Sequence, residues 1–305
     1  MLVVGAVVAG VVWSRRDGGT STSEPGPGIG EGAPTAAAAP KVLGDPRLRW
    51  APPTLTAPIR VDVTEANTTL ELDPTLDYQI VLPSRPLEAP EGLNVHGGHN
   101  IVLIGGTIDV PTGSPGKRRA LDLEAWTGTA HVEGVLLKGD LLEGINANTH
   151  DGNTVLQLEA VRVERVHGSR DENHADVLQT WAAPTQIRID RLTGTTDYQG
   201  LFLNPNDPNY THAGPVQRIE LHRVDLHLID DGKVGYLYYA AGDPFPLSCT
   251  ECYADAPSKA FPDDVVYSKW TAYQEGDPVV SGSPSGSFAP AGAVGVGYLG
   301  FGYRP

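Results

Sequence analysis

The sequence is poor in sulfur-containing residues and in phenylalanine. Its 305 residues include 2 Cys, 1 Met and 5 Phe. Two cysteines are too few for a disulfide-rich scaffold, and a single Cys-x-x-Cys pair is a weak zinc signal. We expect Cys249 and Cys252 to be structural, as a small-loop disulfide if the chain is exported or as buried packing residues if it is not.

Positive charge is also scarce. Lys and Arg number 22 against 37 Asp and Glu, which gives a formal net charge of −15. The first sixty residues carry 6 basic and 4 acidic side chains, so the remainder of the chain carries −17. Because nucleic acid is bound through a basic face that releases counterions, the charge balance argues against a nucleic-acid partner.

The chain has no apolar stripe at a spacing of 3.6 residues that is long enough to predict a helix. It is rich instead in Gly and Pro, with 36 and 26 residues. Together they make up about a fifth of the chain, against a usual background of about 12%. This surplus predicts many turns between short strands.

Residues 1–16 contain an uncharged apolar stretch, Met1–Trp13, which is followed by Arg15 and Arg16. As a helix it would reach about 20 Å, too short for a bilayer core of about 30 Å. The length fits the apolar part of a signal peptide, although the basic residues follow it instead of preceding it. We expect an export signal or a membrane anchor whose true start lies upstream; the alternative is a frayed terminus of a cytosolic protein.

Residues 17–57 are rich in Gly, Pro, Ala and Ser, and large apolar side chains are almost absent from 17–44. Such a segment cannot bury enough surface to offset its chain entropy. We interpret it as a tether. Together with the apolar segment it predicts an extracellular or cell-surface protein, exported by an N-terminal signal or tethered to a membrane by an N-terminal anchor.

Short β-branched and aliphatic runs follow from about residue 75, and they occur in pairs. The second runs begin at Ile101, Val132, Val155, Ile187, Ile219 and Leu247, in steps of 31, 23, 32, 32 and 28 residues. Steps of this size fit one coil of a parallel β-helix, in which equivalent strands stack on neighbouring coils. The competing architecture is an antiparallel sandwich, for which Asp151-Gly152 and Asp231-Gly232 offer hairpin dipeptides.

We therefore predict an all-β fold, a single-stranded right-handed parallel β-helix of about six or seven coils over residues 58–261. An open solenoid exposes strand edges, so its ends need caps. We expect residues 58–82 to close one end. Residues 262–305 lose the repeat and are expected to form the cap at the other end.

Three features carry a family resemblance: the strand pairs flanked by Asn and Gly, the segment His-Ala-Asp-Val-Leu-Gln at 174–179, and the tail at 288–295. They resemble the exported right-handed parallel β-helix proteins of the pectate-lyase-like superfamily, over about residues 60–300. The superfamily includes polysaccharide lyases, glycoside hydrolases, epimerases and non-catalytic adhesins or tail spikes. The resemblance therefore implies a fold and leaves the activity to the site.

The first run of each pair carries most of the polar residues. Stacked coils would place equivalent outward positions about 4.8 Å apart, a spacing that can hold an extended sugar chain or bring two carboxylates together. Glycoside hydrolysis uses two carboxyl groups that flank the bond. Asp176 and Asp151 are the candidate catalytic pair, and His174 is the candidate orienting group or base.

Amide, imidazole and aromatic side chains around this pair predict a carbohydrate groove. The candidate substrate-binding residues are His150, Asn148, Gln179, Trp181, Tyr198, Gln199, Asn204, Tyr238 and Arg170. The alternative for each is structural, since Asn, Asp and His at turns often bond their own backbone. Residues 117–119, Lys-Arg-Arg, are expected to form a solvated loop.

These observations predict an exported or surface-tethered, polysaccharide-active protein that hydrolyses or eliminates glycosidic bonds. Elimination from a uronate would require a cation such as Ca²⁺, but the chain has no Asp-rich calcium loop at a recognisable spacing, and its acidic body would repel an anionic glycan. We therefore assign no metal-ligating residues and no certain cofactor, and expect Ca²⁺ only if the protein is a lyase. The alternatives are a non-catalytic glycan-binding or adhesin module and a phage or envelope structural protein; trimerisation would favour the last.

Overall fold

The short apolar runs form strands that stack in parallel, as the repeat predicts. The computed structural model describes residues 47–116, 118–150, 152–169, 174–182, 184–207, 216–229, 235–298 and 300. They belong to one compact unit, Ala39–Pro305, and form a parallel β-solenoid of about seven turns. The predicted export segment and residues 17–46 of the predicted tether lie outside the described residues.

Strands are short at the start of the solenoid and longer towards its end. In chain order they are β1 (Ile59–Asp62), β2 (Thr69–Leu72), β3 (Tyr78–Val81), β4 (Leu87–Glu88), β5 (Leu93–Gly97), β6 (Ile101–Ile104), β7 (Thr107–Val110), β8 (Arg119–Glu124), β9 (Thr129–Glu133), β10 (Leu136–Gly139), β11 (Glu143–Asn148), β12 (Val155–Val166), β13 (Asp176–Thr180), β14 (Gln186–Thr196), β15 (Gln199–Leu203), β16 (Arg218–Leu228), β17 (Tyr238–Ala240), β18 (Leu247–Asp255), β19 (Gln274–Gly276) and β20 (Val280–Ser281). One helix, α1 (Ser268–Tyr273), and a 3-10 turn at Ala291–Ala293 complete the described elements.

Two sheets form the walls of the solenoid. Sheet A has 13 strands, with the order β1-β3-β6-β9-β12-β14-β16-β18-β19 along its main path and β4, β7, β10 and β20 beside it. Sheet B has seven strands, in the order β2-β5-β8-β11-β13-β15-β17. All the named strand pairs are parallel, which contradicts the alternative of an antiparallel sandwich.

The strand register corrects two positions of the predicted repeat. Equivalent residues of sheet A are Ile101, Ala130, Leu156, Ile187, Ile219 and Leu247, in steps of 29, 26, 31, 32 and 28. The sequence suggests Val132 and Val155 in place of Ala130 and Leu156. Val132 is buried like Ala130, and since strand side chains alternate with a period of two, a shift of two residues keeps the apolar face inward.

The interior is a stack of apolar side chains from both sheets. One row on sheet B consists of Leu93, Leu121, Ile145, Leu178, Leu201 and Tyr238, all fully buried. Burial of apolar surface contributes about 25 cal/mol per Å², so repeating the same row on each coil supplies the main stabilisation of the solenoid.

Six successive coils turn a corner of sheet A at a residue with a positive φ. These residues are Gly105, Gly134, Ala160, Arg191, Arg223 and Glu251, with φ between 53° and 68°. Gly is suited to this left-handed conformation, whereas other L-residues adopt it at a cost of about 1–2 kcal/mol. In the later coils a residue other than Gly adopts this conformation. The strands before and after it are then continuous, as the long, bent strands β12, β14, β16 and β18.

The ends of the solenoid differ from the predicted caps. The stacking continues beyond residue 261, because β19 and β20 both pair with β18. Trp270 of α1 is fully buried against Tyr238, with ring centroids 4.9 Å apart. The region from Val265 to Ser281 therefore covers the last coil.

The tail after Ser281 does not cap the end but runs back along the solenoid. Ala289 N donates to Thr193 Oγ1 of β14 at 2.9 Å, and Tyr298 Oη donates to Glu133 Oε1 of β9 at 2.7 Å. Gly134 is essential to this path, since a Cβ on it would lie 2.2 Å from the Tyr298 ring. The tail thus reaches from the late coils to the early ones.

An ionic network is buried at the corner of β12 and β14. The Arg191 Nη2 atom lies 3.1 Å from Glu159 Oε2, and its Nε atom lies 3.2 Å from Asp190 Oδ2. All three side chains are fully buried. Burial, helped by the charge of Asp190, raises the pKa of Glu159 to about 8, although Arg191 and the backbone N–H of Trp50 favour its charged form.

We expect Arg191→Gln to destabilise the protein by about 3 kcal/mol, because it removes the cation that lies between two buried acidic side chains and leaves Asp190 paired only with Arg223. The matched control is Arg188→Gln on the same strand, where the half-buried arginine donates to Gln186 Oε1 at 3.0 Å. That change is expected to cost less than about 1 kcal/mol. Urea unfolding at pH 7 measures both, and equal losses would contradict the role given to Arg191.

Candidate functional site

The outer face of sheet B is polar along its first coils and aromatic along its last ones. One row of register-matched residues consists of Thr69, Asn94, Asp122, Asn146, Gln179, Phe202 and Tyr239. Neighbours in such a row are about 4.8 Å apart. The stacking of the coils therefore brings together polar residues that are far apart in sequence.

Two adjoining clefts lie over the polar half. Their volumes are about 530 Å³ and 280 Å³, and His96, Arg119 and Glu124 line both. We call their combined surface the sheet B groove; its main polar and aromatic residues are Glu71, Glu91, Asn94, His96, Arg119, Asp122, Glu124, Asn148, His150 and Trp181.

Arg119 joins two carboxylates at the wall of this groove. Its Nη1 atom lies 3.1 Å from Asp122 Oδ2, and its Nε atom donates to Glu143 Oε2. Asn146 Nδ2 donates to the other oxygen of Asp122 at 2.5 Å. Burial by itself would lower the pKa of Arg119, but Glu143 and Asp122 outweigh it and raise the pKa. Asp122 is therefore held in one orientation by two donors.

Asp176 lies two coils further along and is fully buried on β13. Gln179 Nε2 donates to its Oδ2 atom at 2.7 Å, while its buried Oδ1 atom has no hydrogen-bond partner in the described part of the chain. Burial, with the charge of Glu143, raises the pKa of Asp176 well above its usual range. This carboxyl group is thus held in a site that favours its protonated form, away from the open groove.

Four aromatic rings continue the groove towards the last coils, and we call them the aromatic row: Trp181, Phe202, Tyr239 and Tyr267. Ring centroids are 4.7 Å apart between Trp181 and Phe202, and 4.8 Å between Phe202 and Tyr239. Tyr239 stacks on Tyr267 at 4.5 Å. Trp181 also lines the smaller cleft, so it connects the polar half with the aromatic half.

Some of the residues predicted from sequence do lie at this surface. Asn148, His150 and Trp181 line the smaller cleft. The Oδ1 atom of Asn148 also accepts from Trp181 N at 2.7 Å, so it fixes the end of β13. His174 is exposed, with its ring 5.8 Å from that of Tyr198.

Other predicted residues are buried. The predicted ligands Gln179, Gln199 and Asn204 are 3%, 6% and 7% exposed, and Asn204 Nδ2 donates to Asp207 Oδ2 at 2.6 Å. Their positions favour the structural alternative.

Tyr198 and Tyr238 belong to the hydrophobic core. The hydroxyl group of Tyr238 donates to Tyr253 O at 3.0 Å. Because neighbouring residues of a strand face opposite sides, Tyr239 takes the outward position on that coil in place of Tyr238.

Two predicted residues, Asp151 and Arg170, lie outside the described residues. The candidate pair of Asp176 and Asp151 therefore has only one member in the described part of the chain. That member is buried, so the carboxyl groups that line the open groove are different ones: Glu71, Glu91, Asp122 and Glu124.

Arg119 and Glu143 were not predicted from sequence. Arg119 was expected in a solvated loop, but it begins β8 and its side chain is 14% exposed. Glu143 stands opposite Arg119 in the register of β8 and β11. Arg119 lies two residues before Leu121, and Glu143 lies two residues before Ile145. Aligning the two apolar runs on Leu121 and Ile145 would therefore have placed the two charged residues opposite each other.

Cys249 and Cys252 form a disulfide on β18, where both are 1% exposed. Of the two structural roles expected for them, the structure therefore shows the bonded one. Within the described ranges, no group of three His, Cys, Asp or Glu residues is arranged to hold a metal ion. No helix in the same ranges is long and apolar enough to cross a membrane.

The sequence matches no protein-family model, and no similar chain was found among curated proteins or solved structures. The parallel β-helix itself is shown by the strand pairing. Its resemblance to the pectate-lyase-like superfamily remains a prediction.

Asp176→Asn tests the state of the buried carboxyl group. Because the folded pKa of Asp176 is raised, its contribution to stability is complete below the unfolded pKa of about 3.9 and is lost as the pH rises through the folded pKa. We expect the variant to match the wild type near pH 4 and to be more stable at pH 8 by about 1 kcal/mol or more. Urea unfolding at both pH values measures the difference.

The matched control for this prediction is Asp122→Asn on β8, two coils away from Asp176. It removes a charge that Arg119 binds, so it should lower the stability at pH 8. If Asp176→Asn were less stable than the wild type at pH 8, the buried carboxyl group would have to be ionised.

Proposed function

We propose that the protein is exported or surface-tethered and binds an extended polysaccharide along the sheet B groove. The observation that carries this proposal is the continuity of the groove with the aromatic row through Trp181. Carboxylates accept hydrogen bonds from sugar hydroxyls, and amides both donate to them and accept from them. Aromatic rings stack on the apolar faces of sugar rings. The register-matched row of seven residues spans about 29 Å, enough for several sugars.

The charge of the groove supports a neutral glycan. Glu71, Glu91, Asp122 and Glu124 line the larger cleft, against the single guanidinium of Arg119. The net charge of the whole chain is −15. A polyanionic chain would be repelled by both.

Two features support export. The Cys249–Cys252 disulfide is of a kind that persists in oxidising compartments. The apolar segment predicted for residues 1–16 and the tether predicted from residue 17 fit the same location. The end of that predicted tether is different, because Trp50 and Ala51 pack on sheet A, where Trp50 N donates to Glu159 Oε1 at 2.7 Å.

Trp181→Ala tests the binding proposal. We expect it to weaken binding about three- to tenfold, because it removes the ring at the junction of the two halves. A glycan array at neutral pH selects the ligand, and calorimetry with that ligand gives the affinities. The control is Trp50→Ala, which removes a half-buried ring from the sheet A side; equal weakening by both changes would contradict binding in the sheet B groove.

Hydrolysis is a second candidate function, and the carboxyl groups of the larger cleft favour it. Asp122 and Glu124 both line that cleft. As residues i and i+2 of β8 they share a face of the strand, with Cα atoms about 6.6 Å apart. Glycoside hydrolases place two carboxyl groups on either side of the scissile bond, and two acids on one face of a strand are candidates for that pair. Asp122, fixed by Arg119 and Asn146, would act as the nucleophile or base, and Glu124 as the acid.

We expect Asp122→Asn and Glu124→Gln each to lower the release of reducing ends from the bound glycan by a factor of about 100 or more. The control is Glu91→Gln, an exposed acid at the edge of the same cleft, which should retain activity. A bound glycan that yields no reducing ends would contradict hydrolysis and leave the binding proposal standing.

A further inference from the structure

A third cleft lies on sheet A, the other wall of the solenoid. Its volume is about 500 Å³, and it forms where the segment Arg47–Arg49 crosses β16 and β18. We call it the arginine cleft; its lining residues are Arg47, Leu48, Arg49, His222, Arg223, Thr250 and Glu251. It shares no lining residue with the sheet B groove.

The arginine cleft is basic in a strongly acidic chain. Three arginines line it, against one acidic residue, Glu251. The nearby Asp190 is bound by Arg223 through Nε at 2.7 Å and lies 3.2 Å from Arg191 Nε. Arg49, in contrast, has no carboxylate partner within the described part of the chain.

Aromatic contacts hold two of the cleft residues in place. The guanidinium of Arg49 lies 5.4 Å from the centre of the Trp50 ring. The Trp50 ring lies 5.7 Å from that of His222. Such cation–π and ring contacts limit the freedom of a long side chain, so less entropy is lost when it binds a ligand.

His222 lines the cleft and is half-buried. Its Nε2 atom is itself buried and has no hydrogen-bond partner among the described residues. Burial and the charge of Arg49 lower the pKa of His222, which favours a neutral imidazole. The positive charge of the cleft therefore comes from its arginines.

We propose that the arginine cleft is an anion site that binds a phosphate or sulfate group. The planar guanidinium fork donates two parallel hydrogen bonds to such oxyanions, and a remaining ligand oxygen can accept from Thr250 Oγ1. The site is independent of the glycan-binding proposal, because the two clefts lie on different walls.

Calorimetry on the full chain tests the proposal, with sodium phosphate and sodium sulfate as probes and sodium chloride at equal ionic strength as the blank. We expect Arg49→Gln to weaken binding about tenfold, because it removes one charge-assisted donor. The matched control is Arg60→Gln, an exposed arginine of β1 that pairs with Asp62, which should bind like the wild type. Since Arg49 is exposed, its substitution should leave the fold intact, and the unfolding midpoint checks this.

A second experiment distinguishes a free ion from a lipid headgroup as the ligand. Vesicles of phosphatidylcholine with and without phosphatidylglycerol are sedimented with each variant. A soluble phosphate or sulfate ligand is supported if the free ions bind and Arg49→Gln weakens that binding. A lipid headgroup is supported if vesicle binding depends on phosphatidylglycerol and is weaker in the same variant. The proposal is overturned if neither the free ions nor the vesicles bind, or if Arg49→Gln binds as well as the wild type.

Discussion

The constraint on which the whole structure depends is that each coil must turn at the same place as the coil below it. At the corner of sheet A, six successive coils make this turn at a residue with a positive φ, from Gly105 to Glu251. Once the corners coincide, the strands fall into parallel register and their apolar residues meet in rows. Several non-glycine residues hold this conformation, because the stacked neighbours on both sides over-determine it.

The same register builds the surface at which function is proposed. Residues of β8, β11 and β13 come together as the cluster of Arg119, Asp122, Glu143 and Asp176, although they are more than fifty residues apart at the extremes. The carboxyl groups of this cluster lie in different environments. Asp122 faces a groove and a guanidinium, while Asp176 is buried, so two carboxyl groups close to one another in the fold have different chemistry.

The sequence was sufficient to predict the coil repeat, because a buried face imposes alternation on each run. It was less informative about which polar residue faces a ligand. Tyr238 and Tyr239 are adjacent and alike in the sequence, and only the register decides that the first is interior. The role of Asp176 was similarly ambiguous, since an aspartate at the start of a strand looks the same whether it is buried or exposed. The path of the tail could not be predicted either, because its Gly-rich residues show no alternation that would specify a partner.

Solenoids in which each coil contacts only its neighbours can lose coils one by one from an end, since their stability is a sum of local terms. The returning tail changes this. Contacts of Ala289 with β14 and of Tyr298 with β9 tie the tail to coils made earlier in synthesis. Separation of these coils must break contacts with the tail as well as contacts with the next coil. The tail thus adds long-range cooperativity to a fold that otherwise has little, and these contacts form only after the tail has been synthesised.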